Sequence, residues 1–237
     1  MAIDDSYTKV LLHMNEADAS PVFTDESNKV WTTYGTAQID TAQSKFGGSS
    51  GLFDGNSDYI RTPYTSDFNL SGNFTIDTWF RAVSFAAVMS LLGKDKYGVS
   101  FDWNIYISNT TTIALYTQGY SQNITVTVPT MSINTWYHVA VVSSSGIVSI
   151  YLGGILAGSK SLAITNASQD YITIGCQSWN NPGYFFNGWI DELRISNGIA
   201  RWTANFTPPT SEYISGGSHS AIRGRRRYCG NVDPRIP

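Results

Sequence analysis

The 237-residue chain is short of cysteine, histidine and charge, and each shortage removes a class of protein. Cys176 and Cys229 are its only cysteines, so a disulfide-dense scaffold and C-x-x-C metal motifs are excluded. The two are read as thiols, with a bridge between them left open. Charged residues reach 14%, well under the usual quarter, so the chain does not have the composition of a disordered polyelectrolyte. The three histidines, His13, His138 and His219, have no nucleophile-elbow motif beside them. No window offers about 18 uncharged apolar residues, so no transmembrane helix and no membrane insertion are expected. The opening MAIDDSYTKVLLHM lacks a basic region followed by a long apolar run, and no signal peptide is expected.

Motifs for catalysis are missing too. Glycoside cleavage needs two carboxylates about 5–10 Å apart across the scissile bond. On a strand face that takes an E-x-D-x-E spacing, and no such run exists. Asp191 and Glu192 are adjacent, so a regular strand points them to opposite faces. Gly153–Lys160 has the glycines of a phosphate loop, but Ser159 precedes Lys160 and breaks the G-K-[ST] order. The expectation is a protein that is not an enzyme.

What is plentiful is aromatic and turn-forming. There are 7 Trp, 14 Tyr, 11 Phe and 21 Gly. Aromatic and β-branched residues suit a pleated, half-buried surface, and glycines suit tight turns. Phe74–Arg81 (FTIDTWFR) alternates with a period of two: Phe74, Ile76, Thr78 and Phe80 share one face, Thr75, Asp77, Trp79 and Arg81 the other. Similar runs are Lys9–His13, Ser57–Thr62, Val88–Gly93, Gly98–Ile107, Thr112–Thr117 and Ile124–Val128. Trp136–Ser143 and Ile147–Leu152 read as a hairpin, followed by Ile155–Lys160, Tyr171–Cys176 and Tyr184–Ser196. Asn197–Trp202 is read as a single helical turn. A dozen short strands without long helices predict an all-β, antiparallel two-sheet jelly-roll β-sandwich.

The charge is unevenly spread. Residues 1–214 hold 10 Lys/Arg against 17 Asp/Glu, a net −7; residues 215–237 hold five Arg and one Asp, a net +4. The expected division is a sandwich domain over 1–210 and a linker with an irregular basic tail over 211–237. Arg223, Arg225, Arg226 and Arg227 offer multidentate contacts to an acidic partner.

Six motifs in order along residues 8–210 then carry a resemblance. They are KVLLHMNEAD (9–18), KFGGSSGLFDGNSDYIRTP (45–63), FTIDTWFR (74–81), TWYHVAVV (135–142), IYLGGILAG (150–158) and FNGWIDELRISNGIARW with NFTPP (186–209). The chain resembles the laminin-G-like / concanavalin A-like lectin/glucanase superfamily, in the form common in bacteriophage and bacterial surface proteins. Gly47, Gly48, Gly51 and Gly55 are read as turn glycines, and Trp79, Trp136 and Trp189 as filling the space between two sheets. His138 is read as a hydrogen-bonded structural histidine. Gly153-Gly154 replaces the family's Asp-Gly hairpin turn, keeping the turn and losing a carboxylate.

The resemblance implies two kinds of site. A structural Ca2+ at the sandwich edge would draw on Asn15, Glu16, Asp54, Asn56, Asp58 and Asp191, whose oxygens suit a hard cation. Glycan binding would draw on loop aromatics and amides: Trp103, Tyr120, Trp179, Asn180, Asn181 and Tyr184. The expected function is a non-catalytic virion structural protein, a capsid decoration, tail or fibre component assembled in the host cytoplasm. Its expected partners are other virion proteins, copies of itself and host-surface glycans; nucleic acid is not an expected partner. The alternative is a carbohydrate-binding adhesin module.

Overall fold

The computed structural model describes residues 6–96, 100–118, 121–164, 166–177 and 182–214. Fifteen strands form among them: β1 (Thr8–Leu12), β2 (Thr32–Tyr34), β3 (Gln38–Asp40), β4 (Ser50–Asp54), β5 (Tyr59–Thr62), β6 (Phe74–Ala82), β7 (Met89–Lys96), β8 (Ser100–Asn109), β9 (Thr112–Thr117), β10 (Gln122–Thr127), β11 (Trp136–Ser144), β12 (Ile147–Leu152), β13 (Ile155–Ser161), β14 (Ile172–Ile174) and β15 (Asn187–Asn197). A 3-10 turn at Ser66–Phe68 is the one helical element described. No helix among the described residues is long and apolar enough to cross a membrane.

The strands form two antiparallel sheets. One runs β13-β12-β11-β6-β15-β4-β3, with β1 also on β15; the other runs β10-β9-β8-β7-β14-β5-β2. The chain changes sheet repeatedly, as a jelly roll requires, and the expected fold class stands. The periodic strands fall where the alternation placed them, β9 and β12 to the residue. The sequence reading missed β2, β3 and β4, three to five residues long, whose Thr, Ser, Gly and Asp residues have the composition of turns. Asn197–Trp202 is not helical: it leaves β15 as an irregular segment.

Alternation sends one face of each strand into a single core. Phe74, Ile76 and Phe80 of β6 meet Ile105 and Ile107 of β8, Val139 and Val141 of β11, and Ile190 and Ile195 of β15. Each such fully buried side chain contributes roughly 1.5–3 kcal/mol. The β12–β13 hairpin turns on Gly153 and Gly154 at φ 59° and 78°, the two positive angles that a two-residue turn matching strand twist needs.

The assignments of four tryptophans are reversed. Trp103 is fully buried within the core, so it is no sugar platform. Trp79 and Trp189 lie instead on the outer face of the eight-stranded sheet, with Lys45 Nζ 4.0 Å from the Trp79 ring centre and the Arg81 guanidinium 5.0 Å from that of Trp189. Trp136 pairs with Arg81 and shares that outer side. Trp103 alternates with Ile105 and Ile107 along β8, and all three enter the core from the same face.

Candidate functional site

Directly paired strand residues share a face. The ladders of the seven-stranded sheet therefore align one transverse row on its outer surface: Thr32, Arg61, Thr173, Gly93, Asn104, Tyr116 and Asn123. The middle of the row is closed to solvent. Thr173 and Asn104 are fully buried, and so is Ser90 in the adjoining row, whose hydroxyl donates to Asn104 Oδ1 at 2.7 Å. Asn104 Nδ2 finds no acceptor among the described residues. The two flanks of the row remain open.

On one flank, Tyr184 is 48% exposed and meets Tyr106 edge-on at 5.8 Å; Tyr106 meets Tyr116 the same way at 5.6 Å. With Val88 and Ser108 the three tyrosines line a cleft of about 170 Å3. The Ser90 N–H donates to the Tyr184 carbonyl at 2.7 Å and ties that residue to β7. Tyr106 is the buried floor of this cleft, and Tyr184 and Tyr116 are the rings at its surface, the aromatic setting against which a sugar ring packs.

On the other flank, Tyr34 and Tyr59 stack at 4.5 Å, nearly parallel. The Arg61 guanidinium lies 4.4 Å from the Tyr34 ring centre and 4.1 Å from that of Tyr171. Asp58 holds the turn that follows Tyr34: it accepts the Thr36 N–H at 2.6 Å, and Gly35 passes so close to it that a side chain there would collide.

The eight-stranded sheet is different. Residues 198–214 cross its outer face as a strap. Trp202 and Phe206 stack at 4.0 Å, both edge-on to His138, over Ala140, Val142 and Tyr151. Beneath, Asp77 takes two hydrogen bonds from Arg194, at 3.0 and 3.2 Å, and one from the Tyr213 hydroxyl, with His138 Nε2 at 3.5 Å. Burial alone would raise the Asp77 pKa; Arg194 and His138 outweigh it and hold the carboxyl at about 2. Burial drives the Tyr213 hydroxyl well above its usual value. His138 is the structural histidine expected of it. Tyr213 is packed into this network, so the ordered sandwich continues past residue 210.

A bulge in β15 corrects the reading of Asp191 and Glu192. The register shifts between Asp191 and Arg194, and Glu192 takes a left-handed φ of 50°. Both carboxyls therefore emerge on the outer side. Glu192 accepts the Tyr213 N–H at 2.8 Å and pairs with His13 at 2.6 Å, while Asp191 Oδ2 accepts the Lys45 and Phe46 N–H groups at 2.7 and 3.2 Å. Both are buried. Burial raises Asp191 to about 7, against the pull of those two N–H groups and with help from Glu192.

The six expected calcium ligands do not form one site. Asp54 and Asp58 spend their oxygens on backbone N–H groups: Asp54 on those of Asn56, Ser57 and Asp58, Asp58 on those of Thr36 and Asp54. Burial would raise Asp54, but its three N–H donors outweigh it and hold the carboxyl below its ordinary value. Asp54 pairs with Asn187, four residues along β15 from Asp191, which is about 13 Å of strand and far beyond one cation's ligand sphere. Asn15, Asp191 and the Glu16 backbone carbonyl do converge on the 45–49 loop, while the Glu16 carboxylate accepts the Thr24 N–H at 2.6 Å. Asn15 lies against Gly47, Ser49 donates to the Glu16 carbonyl at 3.2 Å, and Asp191 takes the loop N–H groups. Glu16 Oε2 and Asp191 Oδ1 are each buried with no hydrogen-bond partner among the described residues. Among the described residues no group of three or more His, Cys, Asp or Glu could hold a metal, so a cation here would need carbonyl oxygens as well.

Tyr184 is the one expected glycan contact that the structure places on an open surface. Tyr120, Trp179, Asn180 and Asn181 lie outside the described residues, as do Arg223, Arg225, Arg226, Arg227 and Cys229. Tyr106 and Tyr116 were missed because strand residues gave no sign of which face was free.

The sequence profile of the concanavalin A-like lectin/glucanases superfamily matches residues 54–202, and the chain belongs to that family. Among curated proteins none matches the chain. The fold is shared with domain 4 of AbnA, an extracellular arabinanase from Geobacillus stearothermophilus solved in complex with arabinotriose. That domain has 20% identity and a TM-score of 0.60, over 82% of this chain and 95% of that one. The binding domain of botulinum neurotoxin DC, solved with SialylT, has 18% identity and a TM-score of 0.56 over 81% of this chain and 48% of that one. The botulinum neurotoxin type G receptor-binding domain has 16% identity and a TM-score of 0.58, over 82% and 48%. The match spans about half of each neurotoxin domain. At these identities the likeness concerns the fold.

Proposed function

We propose that the chain is a non-catalytic carbohydrate-recognition module that contacts glycan through the tyrosine cleft of the seven-stranded sheet. The observation that carries this reading is the cleft itself, with three rings set edge to face beside an otherwise closed polar sheet. The arabinotriose-bound arabinanase domain and the SialylT-bound neurotoxin domain lend support, as relatives in fold that engage carbohydrate. The non-catalytic part rests on Asp191 and Glu192, the one adjacent acidic pair on the outer side of β15, being buried and bonded to protein groups. A glycan array followed by calorimetry on the best ligand tests the reading: binding without turnover supports it. Hydrolysis of any polysaccharide in a panel, or no binding at all, refutes it.

A virion structural role is the finer reading, and the charge division favours it. A body of net −7 and a C-terminal stretch of net +4 suit a self- or neighbour-locking contact between copies. Removing residues 215–237 should abolish assembly while leaving the domain's melting unchanged; assembly by the shortened chain counts against it.

For Ca2+, Asp191 is the residue that would hold the ion at the 45–49 loop, and the ion would neutralise its one oxygen without a hydrogen-bond partner among the described residues. Added Ca2+ at about 100 times its Kd should add about 2.7 kcal/mol, or about 5–10 °C in Tm for a domain of this size. An unchanged Tm in Ca2+ and in EDTA removes the site.

A further inference from the structure

We propose that Arg61 forms an anionic subsite on the outer face of the seven-stranded sheet, where it takes the carboxylate of an acidic glycan. The inference rests on the reading of this face as glycan-binding and names the chemical class it selects. Arg61 sits on β5 in the transverse row, half-buried, between Thr32 on one neighbouring strand and Thr173 on the other. Its guanidinium carbon lies 4.4 Å from the Tyr34 ring centre and 4.1 Å from that of Tyr171. Among the described residues it makes no hydrogen bond and no salt bridge.

That arrangement is unusual for a group with five N–H donors. Two rings lie within cation–π distance of the guanidinium carbon, so the N–H edge, where the donors form a fork, is the part of the group open to a ligand's hydrogen bonds. A fork presented edge-on matches a planar two-oxygen anion, and a carboxylate fits it with two parallel hydrogen bonds. The stacking also fixes the side chain before the ligand arrives, which cuts the ordering cost of binding. The supporting turn is itself braced, because Asp58 holds Thr36 and the tight Gly35 beside Tyr34. General attraction is not the reason an anion would come here, since residues 1–214 carry a net −7. The contact must be local, and Arg61 is the local cation. The tyrosine cleft begins three strands away on β8, about 14 Å across the sheet. With the middle of the row closed, the two are separate contacts on one face.

The test uses the full chain with three oligosaccharide probes of equal length: a galacturonate with carboxylates, a sulfated galactan and a neutral galactan. Wild type, Arg61→Gln, Arg61→Lys and Tyr184→Ala are titrated calorimetrically. Every variant keeps the basic tail, so differences report the substituted residue. Wild type should bind the galacturonate at least about tenfold tighter than the neutral probe. Arg61→Gln should erase that preference and leave neutral binding unchanged, and Arg61→Lys should lose part of it by keeping the charge without the fork. If Arg61→Gln does not fold, as judged by melting, Arg61→Lys alone decides. Undiminished galacturonate binding by the folded variants overturns the subsite, and so does preference for the sulfated probe. Neutral binding without any acidic preference also sinks it, while sparing the glycan reading. Absence of binding to any probe, or to an array, sinks both.

Discussion

The two outer faces of the sandwich treat charge in opposite ways. On the eight-stranded sheet, Asp77, Arg194, His138 and Tyr213 are buried together under a strap that adds Trp202 and Phe206 as a lid. On the seven-stranded sheet, Arg61 lies against two tyrosines with no hydrogen bond or salt bridge among the described residues, and Tyr184 stands half in solvent. A paired, covered group serves the fold; a rigid and unpaired one is available to a ligand. The comparison teaches that aromatic density alone does not mark a binding face. Both faces are rich in rings, and only the partners of those rings tell them apart.

The comparison breaks most easily at residues whose assignment it reversed. Trp103→Ala should cost about 3–5 kcal/mol in chemical denaturation, as for any large core truncation. A fully stable variant that loses glycan binding would return Trp103 to the surface. Arg194→Met leaves Asp77 buried with its strongest partner gone. It should cost about 3–5 kcal/mol and lower Tm by more than about 6 °C, while any protein that remains folded binds glycan as before.

Acid sharpens the same contrast. The Asp77 carboxyl is held at about 2 in the folded chain, against an ordinary 3.8. A depressed carboxylate stabilises fully above its unfolded value and loses that contribution as pH falls through the folded one. Stability should therefore drop by about 2 kcal/mol between pH 4 and pH 2 from this group, and Asp77→Asn should flatten the profile there. The smallest effect is expected at the open cleft. Tyr184→Ala should leave Tm nearly unchanged and weaken glycan binding about tenfold, equal to about 1.4 kcal/mol, as read by calorimetry.

Much of the architecture was legible in the residues. The alternation of Phe74–Arg81 and the Gly153-Gly154 turn required little beyond local geometry. Less of the candidate site could be read. FTIDTWFR is buried on both faces except at Arg81, because the strap and the 45–49 loop cover the outer one, so burial of Trp79 under Lys45 and Phe46 did not mean burial between sheets. The Asp54–Asp58 turn has the composition of a cation loop, yet its oxygens are taken by N–H groups that only the folded turn brings near. Tyr34 and Arg61 were passed over because nothing in either local sequence says that the two strands are neighbours.

Periodicity, turn glycines and aromatic content by themselves determined that this chain folds as two stacked antiparallel sheets, since a period of two and tight turns are properties of neighbouring residues. Tertiary structure alone decided which side chains became core, lid or contact surface. Asp77 meets Arg194 across 117 residues, and Tyr171 completes the Arg61 stack from another strand's edge. The physical reason is that a strand's pairing partners and its bulges set which face each side chain takes, and those partners come from remote parts of the chain.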